Sequence, residues 1–394
     1  MTICFTISLI FFPEEALSAS LRGLNMWLQI VFPSLLPFFI TAELLIAFGV
    51  VKFLGVLFEP VMRPLFNVPG AGSFGWMMGM VSGYPTGAKI AARLREEGQL
   101  SRIEAERLVS FTNNSSPLFI FGAISVGLFQ NAAVGFLLAV CHYTSNMFVG
   151  IFMRFYKFRE EKTSKGSNEN MDNRPLFLFA LRKMHETRME DNRPFGKILG
   201  DAVLQSIRTL IMVGGFIILF SVVVEMLRLV DFSVWIGKIF GGFFSLIGIS
   251  DSFGTPFFSG LFEITIGATL ITAVETDTLL SKLVLVSFIL GFNGFSIQAQ
   301  VASILASTDI RFRPYLFARV LHGTIAAMMT MVLYKPLFIN RMMEKPADIP
   351  ASTFPDPSIL TQIFNHLMAI GPWLTLVALW CGFLLHVQKK LGKQ

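Results

Sequence analysis

Residues 108–129 read Leu-Val-Ser-Phe-Thr-Asn-Asn-Ser-Ser-Pro-Leu-Phe-Ile-Phe-Gly-Ala-Ile-Ser-Val-Gly-Leu-Phe. The flanks are apolar, and the whole exceeds the length of about 18 residues that crosses a bilayer core. The centre, Asn113-Asn-Ser-Ser-Pro117, interrupts any helix and frees backbone groups that lipid cannot pair. A second stretch, 283–306, repeats the design around Asn293-Gly-Phe-Ser296. Interrupted spans of this kind persist where they line a cavity or bury against protein.

Around these stretches the chain is dense in apolar sequence. It is 53% hydrophobic and 15% charged, with 42 Phe, whereas a soluble domain is about 25% charged. Further spans are expected at 24–51, 131–153, 209–230, 315–338 and 361–387. Residues 2–12 lack the basic start of a cleaved signal and read as a short first membrane helix. Segment 52–68 suits an interfacial helix, 232–249 an interfacial or tilted one, and the alternating charges of 93–107 read as a surface helix. The hydrophilic stretch 154–208 is expected to be a linker loop, in part a short amphipathic helix.

The net charge of +6 sits in short segments between spans, where it orients the chain, so nucleic-acid binding is excluded. Cys4, Cys141 and Cys381 form neither a disulfide framework nor a metal motif. No two of the five histidines have metal-ligand spacing. No nucleophile–base set appears, so no catalytic residue or metal site is assigned and an enzyme is not expected. Gly83-Tyr-Pro-Thr-Gly87-Ala-Lys89 has the wrong spacing for a phosphate loop.

An internal repeat organises the rest. Shifting the first half by 180 residues, from Asn113 to Asn293, also lays Gly87-Ala88 on Gly267-Ala268, Ser101-Arg102 on Ser281-Lys282, and Ser116 on Ser296. With the basic 154–208 segment in the cytoplasm, the positive-inside rule is obeyed only if 70–92 and 253–274 are re-entrant hairpins entering from opposite sides. Both chain termini are then cytoplasmic. The expected fold is an all-α polytopic membrane protein with two inverted-topology repeats. The first occupies 1–153 and the second 209–394, each holding one re-entrant helical hairpin and one broken transmembrane helix.

Matched breaks in inverted halves point to a transporter's binding site. The candidate substrate-binding residues are Asn113, Asn114, Ser115 and Ser116 at the first break, and Asn293, Ser296 and Gln298, with Gln300, at the second. Thr86 and Lys89 join them from the first hairpin, Glu263 and Thr265 from the second. The bland alternative is that these groups cap half-helices or glue helices together. Glu263 and Glu43 are intramembrane acids, functional candidates by default. Glu225 and Lys89 lie near segment ends, where snorkelling is open to them. Gly75, Gly79, Gly83 and Gly87, every fourth residue, form a close-packing stripe.

Three runs carry a family resemblance: Ser82-Gly-Tyr-Pro-Thr-Gly-Ala-Lys89, Phe111-Thr-Asn-Asn-Ser-Ser-Pro117 and Phe32-Pro-Ser-Leu-Leu-Pro-Phe-Phe39. Together they resemble the YlbJ-type sporulation integral membrane proteins. The two halves also resemble the nucleoside-recognition Gate domain, related to concentrative nucleoside transporters. The resemblance implies paired hairpins and unwound helices around a central site. It further implies movement of dipicolinic acid across the outer forespore membrane of a bacterium. The runs Tyr84-Pro-Thr86 and Phe262-Glu-Ile-Thr265 depart from those of nucleoside transporters. The expected partners are a small anionic substrate and the lipid bilayer; a homo-oligomer is compatible with the sequence. No cofactor is implied, and a coupling cation, H+ or Na+, is left open. A nucleoside-type transporter of the same fold and a non-transporting sporulation scaffold are the alternatives.

Overall fold

The computed structural model describes residues 2–158, 176–191, 193–275 and 278–340. Among them every regular element is a helix. Four helices are long and apolar enough to cross a membrane: Ala132–Met153, Phe195–Leu229, Leu279–Leu305 and Phe312–Ile339. The span expected at 361–387 lies outside the described residues, as does most of the 154–175 loop.

The chain opens with α1 (Thr2–Phe11), of 10 residues, too short to cross a bilayer alone, and α2 (Pro13–Met26). A π-helical turn, Trp27–Val31, leads into α3 (Phe32–Ala47). Two further π-helical segments, Leu118–Leu128 and Lys335–Ile339, occur later. Each of the three lies beside a proline (Pro33, Pro117, Pro336). The wider turn accommodates a ring that would strike the preceding carbonyl. Gly49, at φ 76°, then turns the chain, and α4 (Val50–Phe66) leaves α3 at 81°.

Next comes a helical hairpin, α5 (Gly72–Ser82) and α6 (Thr86–Glu96), followed by α7 (Arg102–Thr112). The charged run 93–107 is therefore not one surface helix. Gly98, at φ 70°, splits it. A capping box starts α7: Ser101 accepts from the Glu104 N–H while Glu104 accepts from the Ser101 N–H. Glu106 and Arg107 are fully buried, because Arg107 donates to the carbonyls of Tyr156 and Asn67 and Glu106 accepts the Arg311 N–H.

After the break and the π-helix 118–128, α8 (Ala132–Met153) closes the first half, and α9 (Leu176–Glu190) packs on α4. Helix α10 (Phe195–Leu229) begins well inside the stretch expected to be linker, and its 35 residues pack on α2 and α3. The second half follows as α11 (Phe232–Leu246), the pair α12 (Gly254–Phe262) and α13 (Ile264–Ala273), then α14 (Leu279–Phe292), α15 (Gly294–Leu305) and α16 (Phe312–Tyr334).

Both helical pairs close on glycines. A Cβ on Gly79 or Gly87 would overlap the carbonyl of Thr112, the last helical residue before the first break. A Cβ on Gly267 would overlap Gly260. The glycine stripe thus packs helices, as the sequence suggested, and also sets α5 and α6 against the end of α7. Helix α6 packs on α7 and on α15, while α13 packs on α14 and on the π-helix 118–128. Helices α8 and α16 pack on each other. The two breaks therefore meet near the centre.

Candidate functional site

Helix α7 stops at Thr112, and residues 113–116 are not helical. Unwinding exposes carbonyls at the end of α7 and an N–H beyond it, all buried, and each needs a partner. Side chains of α8 and α16 supply them. Arg319 donates to the carbonyls of Ser110 and of Asn113, the latter at 3.0 Å. Asn146 donates to the Phe111 carbonyl. The Ser115 N–H donates to His142 Nε2 at 3.0 Å, and the Tyr143 hydroxyl donates to the Ser115 carbonyl at 2.9 Å. Because His142 Nε2 accepts, its ring proton sits on Nδ1, a buried atom without a partner.

The second break is one residue wide. Asn293 takes the left-handed conformation, φ 72°, between α14 and α15. Its amide donates to the Asn113 carbonyl at 3.0 Å and reaches the Tyr315 hydroxyl at 3.4 Å. Asn113 donates to the same hydroxyl at 2.7 Å. Gln298 donates to the Phe292 carbonyl at 3.0 Å, which satisfies the end of α14. Each break also abuts its hairpin tip: Ser116 lies against Gly83, and Gly294 against the Phe262 carbonyl.

Arg319 is the charge at this centre. It is fully buried, also contacts His322 Nδ1 at 3.0 Å and Asn146 Oδ1 at 3.2 Å, and lies 5.4 Å from the Tyr315 ring centroid. The His142 and His322 rings lie 4.7 Å apart. The signal for these residues was partly present: the 180-residue offset that matches the asparagines also matches His142 to His322. Tyr84, Tyr143, Asn146, Tyr315 and Arg319 carry no such signal.

Of the expected site residues, Asn113, Asn114, Ser115 and Asn293 converge here. The Ser115 hydroxyl donates to the Tyr84 hydroxyl at 3.2 Å, and Tyr84 lies within electrostatic reach of Glu263, Tyr143 and Tyr315. Glu263 caps α13, accepting from the Ile266 N–H at 2.9 Å and from the Thr265 hydroxyl. Thr265 also touches Met26, 3.4 Å away. Ser116 is half-buried, and Ser296, Gln298 and Gln300 are buried on α15. Thr86 stands apart, in a niche with Phe39, Glu43, Lys89 and Arg93. There Glu43 pairs with Lys89 at 2.8 Å and with Arg93, tying α3 to the hairpin. Lys89 is thus held by an acid rather than snorkelling. Glu225 pairs with Arg22 at 2.9 Å and Arg228 at 2.6 Å. Several acceptors remain buried without partners: Oδ1 of Asn113, Asn114 and Asn293 and the hydroxyls of Ser82, Thr86 and Thr112. Among the described residues no group of three His, Cys, Asp or Glu is placed to hold a metal ion.

Away from the centre, the two halves are bridged at the end of α6. Arg95 makes two contacts of 2.8 Å with Asp309, and Ser307 donates to Glu96 at 3.1 Å. The Arg95 guanidinium holds the Asp309 carboxyl below the usual carboxylate range.

The family described as nucleoside recognition, Gate, matches residues 28–129 and 210–308. The chain is 50% identical over 379 residues to a protein of Bacillus subtilis (strain 168) named sporulation integral membrane protein YlbJ, covering 95% of this chain and 91% of that protein. No solved structure matches the chain.

Proposed function

The chain belongs to the Gate family and to the sporulation integral membrane proteins related to YlbJ, and from that premise we propose that it is a secondary transporter of a small anionic solute. The observation that carries the proposal is the meeting of two helix breaks in one buried polar centre, where Asn293 bonds the Asn113 carbonyl and both asparagines share the Tyr315 hydroxyl. The solute is dipicolinate, a planar aromatic dianion whose carboxylates suit half-helix N-termini, amides and hydroxyls. The membrane crossed is the outer forespore membrane.

The two halves, 1–153 and 209–394, act as inverted repeats joined by a cytoplasmic linker within 154–208. Support comes from their matching parts: a glycine-closed hairpin, then a helix broken at its asparagine, in each. Each hairpin's second helix packs on the far half of the other repeat's broken helix. The Gate family also matches one segment in each half. In this topology the α5–α6 and α12–α13 pairs are re-entrant, and the Arg95–Asp309 bridge closes the cytoplasmic side.

The test is replacement of Asn113 and Asn293 by Ala, with membrane levels verified, and measurement of dipicolinate accumulated in spores. Accumulation is expected to fall about tenfold or more in either variant, the equivalent of one lost buried polar contact of ~1.4 kcal/mol. Unchanged accumulation at unchanged levels overturns the site. The match to a nucleoside-recognition family favours a second reading, a nucleoside-type solute. Proteoliposome uptake that a nucleoside saturates and dipicolinate does not inhibit decides for it.

A further inference from the structure

A helix break joins two opposite dipole ends. At residues 113–116 these are the partly negative C-terminus of α7 and the partly positive N-terminus of the π-helix 118–128. Left alone, the two ends offset one another, and the break favours neither sign of charge. Arg319 changes that balance. Its guanidinium takes the negative end, through the Ser110 and Asn113 carbonyls. Its remaining contacts, Asn146 Oδ1 and His322 Nδ1, are neutral. Among the described residues Arg319 has no acidic partner, and it is fully buried with Nε unbonded. Away from the breaks, Lys89 and Arg93 pair with Glu43, and Arg95 with Asp309.

The second break lacks this device. Counting back 180 residues from Arg319 along the repeat gives Ala139, on α8, the helix that packs beside α14. The terminal carbonyl of α14 is taken by the neutral amide of Gln298. The helix end at the first break is therefore held by a buried positive charge, and that at the second by a neutral amide. A buried cation without a counter-ion is costly unless something supplies the opposite charge.

Resting on the transport reading above, we propose that Arg319 is the positioning residue that sets the sign of the solute. It caps α7, and so leaves the break at Asn114–Ser116 as a carboxylate site, with the Tyr84 and Ser116 hydroxyls and the Asn114 amide around it. Arg319 does not itself touch the solute; it acts through the unwound segment. The second break, whose helix end is held by the neutral Gln298 amide, meets the neutral part of the solute.

The experiment compares purified wild-type protein with Arg319→Lys, Arg319→Gln and Asn114→Asp in proteoliposomes. The probes are dipicolinate and its neutral diamide, pyridine-2,6-dicarboxamide. Wild type is expected to favour the dianion, and Arg319→Lys to retain that preference. Arg319→Gln is expected to reduce the preference for dianion over diamide about tenfold or more, the ratio that ~1.4 kcal/mol of lost selectivity gives. Asn114→Asp keeps Arg319 and places a carboxylate at the break, so it should lose selectivity in the same direction. It keeps the test decisive should Arg319→Gln fail to fold. Equal loss of both probes in Arg319→Gln and Asn114→Asp, or an unchanged ratio, overturns the assignment and leaves Arg319 a purely structural clamp. Wild-type vesicles that take up neither probe overturn the transport reading itself, and this inference with it.

Discussion

The break at 113–116 and the break at 293 occupy the same place in two halves of one chain, and they are built in opposite ways. The first is four residues of non-helical backbone whose polar groups are satisfied from outside, by His142, Tyr143, Asn146 and Arg319. The second is one non-helical residue, Asn293, left-handed like Gly294 (φ 61°) that opens the next helix. A wide break frees several backbone groups and so requires a polar scaffold on the neighbouring helices. A one-residue break frees few groups and needs only an Asn-Gly pair that tolerates φ 72° and 61°. The first is thus a rigid polar cage and the second a local turn; α8 and α16 carry the polar residues because they flank the cage.

The largest effect should come from the glycines that bring the hairpins against these breaks. A methyl group at position 87 meets the Thr112 carbonyl, backbone against the cage, whereas one at 267 meets Gly260 within its own hairpin. Gly87→Ala is expected to lower thermal stability in detergent by ~3 kcal/mol, the upper range for overpacking, and Gly267→Ala by ~2 kcal/mol. Gly215, with nothing within 4 Å, supplies the control: Gly215→Ala should stabilise by ~0.5–1 kcal/mol, as in an ordinary helix. If Gly87→Ala melts like Gly215→Ala, the hairpin is not seated on the cage and the contrast fails.

A middle-sized effect separates cage from turn more sharply. At Asn293 the left-handed backbone penalises any ordinary L-residue, so Asn293→Ala should be less stable than Asn293→Gly by ~1 kcal/mol. At Asn113, φ is −96°, and Gly has no such advantage. Asn113→Gly should be no more stable than Asn113→Ala, and weaker by the entropy that glycine brings. Melting curves of the four variants suffice; a glycine rescue at both sites, or at neither, removes the distinction.

Much of this was legible in the sequence because breaking a membrane helix needs residues that stand out. Asn113-Asn-Ser-Ser-Pro117 and Asn293-Gly294 are conspicuous in apolar surroundings, and so are Ser82–Gly87 and Ser259–Gly260. The structure places helix ends at the first three; Ser259–Gly260 instead lies inside α12, and that pair turns at Glu263. The scaffold was not legible. Arg319 and Tyr315 lie in a stretch whose average is apolar, and only tertiary contact with α7 reveals that they serve another helix's carbonyls. The charges of 93–107 misled for a related reason. Alternation of sign implies solvent, but Arg107 and Glu106 are bonded to backbone groups of distant segments, which a local pattern does not encode. The start of α10 at Phe195 was missed because its first turns are polar and read as linker.

The smallest effect concerns how the chain enters the two broken helices. Helix α7 begins with a reciprocal capping box, and Glu104 also receives Arg63 at 2.6 Å. Helix α14 begins with Thr278, whose hydroxyl accepts the Ser281 N–H at 3.4 Å with no acid to answer it. A cap within a box holds two backbone donors, and a lone threonine holds one weakly. Ser101→Ala should therefore cost ~1 kcal/mol and Thr278→Ala ~0.5 kcal/mol, read as shifts in melting temperature of the detergent-solubilised protein. Such an order would place the asymmetry between the halves along the whole broken helix, from its first turn to its interruption. Equal shifts would confine it to the breaks, where Arg319 and the α8 side chains then account for all of it.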